Sequence, residues 1–412
     1  MDRKELYRQS LDYFFAPLLP VLEKEDDVTE ILINGANQVY FESNNSLQLS
    51  KVRFPDEMWL ASMAQNIAEY VGRNLDSANH SLAGRLPKDC CIGDARVHVV
   101  APPASRDGFS ISIRRFRDKR FTMKQLVSKL ALTEEAAQLL RLAVLMKCNI
   151  AVSGGTGTGK TTLLNALASA IPDSERILVI EETSEINLDQ PHTVHFETQQ
   201  GDIRNRGQVT IRDLFVDSLR MRPDRIIVGE VRQGEALDMV QSMLSGHAGA
   251  LTTVHASTPR DALTRLETLC MMTEEAIPHH VAKIQVGSAM HLVVQIERYK
   301  NQRRVRSISE CCGLDPQNEY RLRPLYRTVY DHGAKESVQA TLKRTSQRPR
   351  FAREALGYAS ASDFPALDWL FHANDNVAVR RRTTQKFKKR EKSVASRLTN
   401  GNSIDRGGAN PR

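Results

Sequence analysis

Two kinds of apolar patterning divide the chain. In residues 1–118 short runs alternate apolar and polar positions, as half-buried strands do: "VTEILIN" (28–34) and "QVYFES" (38–43) flank the turn "GAN", and "ARVHVVAPP" (95–103) and "FSISIRRF" (109–116) follow. Between them "DEMWLASMAQNIAEYVGR" spaces Trp59, Met63, Ile67 and Val71 along one helical face, a core stripe. From about residue 125 the pattern changes. "NIAVSGG", "RILVIEE", "RIIVGE" and "ALTTVHA" are apolar throughout, too short for helices and too apolar for an edge, and each runs into a polar loop. Helical stretches such as "TTLLNALASAI" and "EALDMVQSMLS" lie between them, and "TEEAAQLLRLAVLMK" carries a helix start with Thr133 as N-cap and Glu134 and Glu135 in the first turn. Such alternation predicts a mainly parallel sheet covered by helices on both faces. After Ala289, "MHLVVQIERY" and "RRVRSISECC" are strand-like again and close the domain. The expected layout is a small α/β domain at 1–118, a polar linker at 119–125, an α/β domain at 126–335 and a basic, disordered tail at 336–412, in which "FPALDWLFHA" is at most a short amphipathic piece.

Composition bounds the class. A chain of 412 residues, 41% hydrophobic and 26% charged, is long enough for two or three ordinary globular cores. No run approaches the roughly 18 apolar residues of a membrane span, "YFFAPLLPVL" (13–22) being the nearest, and "MDRKELYRQS" lacks the apolar stretch of a signal peptide. These features predict a cytoplasmic location. Six cysteines, among them the adjacent pairs Cys90-Cys91 and Cys311-Cys312, have no spacing suited to a disulfide framework or a zinc site. The formal net charge is +8, and residues 372–412 alone hold 11 Lys/Arg against 3 Asp/Glu, which leaves 46 of each in 1–371. All the excess positive charge is therefore in the tail, which could touch anionic lipid, bind nucleic acid non-specifically or only keep the chain soluble. The tail has few aromatic residues to stack bases, so nucleic acid is the weakest of the three.

The chemistry starts at "GGTGTGKT", Gly154 to Thr161, which fits the phosphate-loop pattern G-x-x-x-x-G-K-[ST] directly after a strand and before a helix. Gly154, Gly155, Thr156, Gly157, Thr158 and Gly159 let backbone N–H groups turn toward a polyphosphate, and the helix start at Lys160, Thr161 and Thr162 adds its dipole. Lys160 would bridge the β- and γ-phosphates, and Thr161 would hold Mg²⁺. There is no Asn/Thr-Lys-x-Asp element for guanine, so ATP is the expected nucleotide. Three further stretches place polar residues just past strands: "VIEETSEI" with Glu181, Glu182 and Glu185, "RMRPDRIIVGEVRQGEA" with Glu230, and "GHAGALTTVHASTPRDALTRLETL" with His255, then Arg265 and Glu267. In open α/β sheets that end of the strands is where ligands bind.

In order and spacing these motifs resemble those of the secretion and pilus-assembly ATPases of type II and type IV systems. With "SLAGRLP" and "SISIRRF" in the first domain, they are most similar to the Tad-pilus assembly ATPase CpaF. The resemblance covers roughly residues 25–330. It implies a RecA-like ATPase domain, a hexameric ring, and a first domain that swings over the nucleotide. Glu230, on the strand adjoining the phosphate-loop strand, would orient the attacking water, and Gly229 would leave room for nucleotide or metal. Glu181 and Glu182 would tune Mg²⁺, and His255 would sense the γ-phosphate. Arg114 and Arg115 would clamp the phosphates from above, and Arg220 and Arg222 would supply charge across a subunit boundary. Glu182, Gln233 and Ala248 depart from the pattern, which usually has aspartate, glycine and aspartate there. The implied function is a cytoplasmic ATP-hydrolysing motor, peripheral to the inner membrane, that docks on a membrane platform protein for pilus assembly or secretion. The alternatives are a conjugative or effector type IV secretion ATPase, a DNA-translocating ATPase, and a silent scaffold subunit.

Overall fold

The computed structural model describes residues 3–24, 28–43, 46–116, 121–199, 201, 206–273, 276–299, 302–331, 339–355 and 357–372. The first part is an antiparallel sheet of six strands in the order β3-β2-β1-β6-β5-β4. They are β1 (Val28–Asn34), β2 (Val39–Ser43), β3 (Ser46–Leu49), β4 (Ser81–Leu86), β5 (Ala95–Val100) and β6 (Ser110–Arg115). Their alternation sets the register: Ile31 and Ile33 of β1 lie opposite Ile113 and Ile111 of β6, which in turn face Val97 and Val99 of β5. These apolar rows are buried with residues of α1 (Arg3–Phe15) and α3 (Glu57–Val71), while α2 (Leu19–Lys24) follows α1 after a short 3-10 turn. Helix α3 begins at Asp56, whose carboxylate accepts from the Trp59 backbone N–H, and stops at Gly72 in the left-handed conformation. The expected stripe is buried at Met63 and Ile67, and Leu60, Ala64 and Ala68 complete it. The stretch 13–22 falls in α1, the turn and α2, and no helix of the described residues is long and apolar enough to cross a membrane.

The second sheet has nine strands in the order β15-β14-β13-β12-β7-β11-β10-β8-β9. Six of them, β7 (Ile150–Ser153), β8 (Ile177–Glu181), β9 (Thr193–Glu197), β10 (Arg225–Val228), β11 (Leu251–Val254) and β12 (Leu292–Tyr299), are parallel. Antiparallel β13 (Gln302–Leu314), β14 (Tyr320–Asp331) and β15 (Gln339–Arg344) extend it. Strands β7, β8, β10 and β11 are buried at every position, as their apolar composition requires. The associated helices are α4 (Met123–Ser128), α5 (Glu134–Leu145), α6 (Lys160–Ala168), α7 (Ile211–Leu219), α8 (Glu235–Leu244), α9 (Pro259–Cys270) and α10 (His279–Ala289). Thr133 caps α5 as its sequence predicts.

Two expected boundaries move. Thr122 and Gln125 form a reciprocal capping box that starts α4 inside the stretch read as linker; residues 117–120 lie outside the described residues. The tail does not begin at 336, because Gln339–Arg344 pairs with β14 residue by residue. Its alternation was hidden by basic residues, which an edge strand carries readily. The segment from Arg348 forms a separate unit. Within it, α11 (Ala352–Ala355), a 3-10 turn at Pro365–Leu367 and α12 (Asp368–His372) bury Phe364, Leu367 and Leu370. Residues 373–412, where most of the expected basic tail falls, lie outside the described residues.

Candidate active site

The carboxyl ends of β7, β8, β10 and β11 open into a cavity of about 600 Å³, within the range of ligand pockets. Strand β7 ends at Ser153 and the glycine loop follows. Gly154 must be glycine, because a Cβ there would lie 2.7 Å from Ile296 Cγ1 and 2.8 Å from the Ile296 carbonyl oxygen. Gly157 and Gly159 have φ of 69° and 93°, so the loop turns through the left-handed region before α6 starts at Lys160. The Lys160 ammonium donates to the carbonyl oxygens of Gly155 (2.9 Å) and Gly154 (3.1 Å). Burial lowers its pKa, opposed by the charge of Glu230.

Opposite the loop, the side chains past β10 and β11 form a chain of hydrogen bonds. His255 Nδ1 lies 3.4 Å from Lys160 Nζ and its Nε2 lies 2.9 Å from Glu230 Oε1. An ammonium can only donate, so Nδ1 is the acceptor and the Nε2–H donates to Glu230. Burial holds the His255 pKa below its ordinary value, Glu230 opposing this and the nearby cations Lys160, Arg232 and Arg265 adding to it, so the ring is neutral at pH 7. The other oxygen of Glu230 accepts from Arg232 at 2.7 Å, and the second amino group of Arg232 donates to Glu182. Arg232 is held in place by Glu235, which accepts from the backbone N–H groups of Arg232 and Gln233.

The sheet order corrects one expectation. The strand adjoining β7 is β11, and β10 lies beyond it; Glu230 is therefore two strands from the phosphate loop, and His255 bridges the gap.

Gly229 and Glu181 lie side by side at the cavity wall. A Cβ on Gly229 would lie 2.9 Å from Glu181 Cγ, so glycine is needed for Glu181 to pack there, and both residues line the cavity. Glu181 is buried, and one of its oxygens accepts from the backbone N–H groups of Glu185 and Ile186, both at 3.0 Å. Burial pushes its pKa up to about 8 despite those two donors. A carboxyl bonded to backbone in this way anchors the 182–186 loop, and both Glu181 and Glu182 line the cavity. A carboxyl whose folded pKa is raised favours the fold below its unfolded pKa and loses that contribution as pH climbs toward the folded value. We therefore expect Glu181→Gln, which keeps the accepting oxygen, to gain stability over wild type as pH rises from 5 to 8.5, by on the order of 3 kcal/mol at the upper end. Urea denaturation at the two pH values checks this, and an equal difference at both would show that Glu181 is ionised throughout.

From the first sheet, register places Glu42, Glu30, Arg114 and Arg96 opposite one another in a row across β2, β1, β6 and β5, and the row lines the same cavity. Arg114 also lies 3.7 Å from Glu185. Arg115 donates to the carbonyl oxygens of Ile92 (2.8 Å) and, on its own sheet, Val28 (3.4 Å), and also lines the cavity. Arg220 and Arg222 are exposed at the opposite end of β10 from Glu230, outside the cavity. Arg265 is exposed, and Glu267 is buried as acceptor for the Tyr320 hydroxyl (2.9 Å) and a partner of His279, so neither belongs to the site.

Of the residues named from the motifs, Thr156, Gly157, Gly159–Thr162, Glu181, Glu182, Glu185, Gly229, Glu230, His255, Arg114 and Arg115 line the cavity; Arg96, Arg232, Arg298, Arg303, Phe121 and Asn165, which also line it, were missed. Arg232 was legible two positions past Glu230 and Asn165 one turn into the helix after the glycine loop, whereas Arg96, Arg298 and Arg303 needed the register of the sheets.

Comparison with known proteins agrees with this geometry. The family described as type II/IV secretion system protein matches residues 15–350. A putative conjugal transfer protein of Mycobacterium tuberculosis is 34% identical over 292 residues, 70% of this chain and 82% of its own. The type IV secretion system protein PtlH of Bordetella pertussis is 32% identical over 318 residues, 71% of this chain and 92% of its own. The pilus retraction motor PilT with bound ADP shares the fold, with a TM-score of 0.53 at 15% identity over 86% of this chain and 89% of that one.

Proposed function

The chain belongs to the type II/IV secretion system protein family and is an ATPase of RecA-like fold, and we propose that it powers a type IV secretion or conjugal transfer machine. The observation that carries the choice of machine is the set of relatives above 30% identity, whose names are conjugal transfer and type IV secretion proteins. This supports the alternative above over a Tad-pilus motor of the CpaF type.

In the proposed mechanism the glycine loop and Lys160 hold the triphosphate, and Lys160 exchanges the carbonyl oxygens of Gly154 and Gly155 for phosphate oxygens. Glu230 accepts a proton from a water that attacks the γ-phosphorus as the bond to the β–γ bridging oxygen breaks, giving ADP and phosphate. Its carboxylate has about four lone-pair sites, and His255 and Arg232 use two of them, so capacity for the water is left. The Thr161 hydroxyl and the Glu182 carboxylate are hard oxygen donors of the type that suits Mg²⁺, which takes few protein ligands. Such an ion would neutralise phosphate charge. Arg114 exchanges Glu185 for the γ-phosphate, so loss of that phosphate releases the first sheet and converts hydrolysis into movement. The working form is a hexameric ring on the cytoplasmic side of the inner membrane, docked on a platform protein. Arg220 and Arg222 are then available to a neighbouring subunit, and the basic tail to anionic lipid.

Deleting the gene in its host and complementing with wild type or Glu230→Gln tests the reading. Loss of DNA or effector transfer, restored only by wild type, is expected. Normal transfer with lost pili would return the Tad reading, and complementation by Glu230→Gln would make the chain a scaffold.

A further inference from the structure

Strand β12 pairs with β7 from Leu292↔Ile150 to Gln295↔Ser153. There β7 leaves the sheet for the glycine loop, and β12 runs on to Tyr299 with β13 returning beside it. Side chains on this extension alternate between faces. Ile296 packs against the loop, as its closeness to Gly154 shows. Two residues on, Arg298 shares that face, and the register sets Arg303 of β13 directly opposite it. Both arginines line the cavity, and Arg303 lies across the loop itself, with Cδ 3.4 Å from where a Cβ on Gly159 would be. The carboxylate of the same hairpin, Glu297, is on the other face, with the Tyr330 hydroxyl and Arg306.

The sheet order puts β12 on one flank of β7 and β11 and β10 on the other, so these arginines approach the glycine loop from the side away from Glu230 and His255. We propose that Arg298 and Arg303 bind the α- and β-phosphates of the nucleotide, closing over the glycine loop from the flank opposite the hydrolytic groups. The inference rests on this cavity being the ATP site. It gives the hairpin a grip that survives hydrolysis, because ADP keeps both phosphates, whereas contacts to the γ-phosphate are lost.

Calorimetric titration of the full chain with MgADP and with inorganic pyrophosphate tests it. Arg303→Gln and Arg298→Gln are each expected to weaken both ligands by about tenfold or more, the scale of one charged hydrogen bond. Arg303→Lys should retain most of the affinity. Wild-type affinities in both glutamine variants, with binding lost in Lys160→Ala, would overturn the inference and leave the nucleotide site intact. Weakened ADP with unchanged pyrophosphate would also overturn it, by moving the contact to the nucleoside. Full binding of both ligands by Lys160→Ala would remove the site on which it rests. The thermal midpoint of each variant reports its folding, and Arg298 is at an exposed position, so its variant carries the test if Arg303→Gln does not fold.

Discussion

Glu230→Gln is expected to bind ATP within about threefold of wild type and to lose turnover by roughly two to four orders of magnitude, the range for removing a general base. The substitution keeps the size of the side chain and one acceptor oxygen, so either His255 Nε2–H or Arg232 retains a partner. What disappears is the basicity, since an amide does not take a proton from water at neutral pH. With the grip on the nucleotide proposed for the glycine loop and Lys160, two strands away, ground-state binding is largely separate from this change. Single-turnover hydrolysis together with titration of a fluorescent ATP analogue measures both quantities. Wild-type hydrolysis by the variant would show that another group is the base.

Lys160→Ala is expected to lose nucleotide binding by about two orders of magnitude, on the scale of a charge-assisted hydrogen bond of about 3 kcal/mol. The ammonium donates to the carbonyl oxygens of Gly154 and Gly155, so its removal leaves those two acceptors to solvent. The same removal relieves the partial desolvation that lowers the Lys160 pKa. These two effects oppose each other, and the apo protein should change little in stability. The sensitive readout is therefore the rise in Tm that saturating MgATP gives wild type, about 2.7 kcal/mol of stabilisation at a hundredfold excess over Kd. At the same MgATP concentration the variant should keep only about 0.4 kcal/mol of that stabilisation, and persistence of the full rise would place the triphosphate elsewhere.

Much of the fold was legible from periodicity. Strand β1 coincides with "VTEILIN", and the buried runs at 150–153, 177–181, 225–228 and 251–254 are the parallel core. Strands β9 and β15 were not legible, because they lie at the edges of the sheet and are only partly apolar. In the site, the glycine loop was readable because its chemistry is contiguous: turn, lysine and helix start occupy neighbouring positions. Glu182, Glu230 and His255 were readable because a polar residue just past a buried strand stands out from the apolar run before it.

The sequence by itself determined that a phosphate loop opens a parallel α/β domain and that acidic residues and a histidine end its strands, since these features depend on neighbours along the chain. Only the tertiary structure decided that His255 stands between Lys160 and Glu230, that Glu181 accepts from the backbone of the loop after it, and that Arg96 and the β12–β13 arginines join the site. Those outcomes depend on strand order, register and burial, which bring together residues far apart in the chain, and no local pattern of side chains encodes such distances.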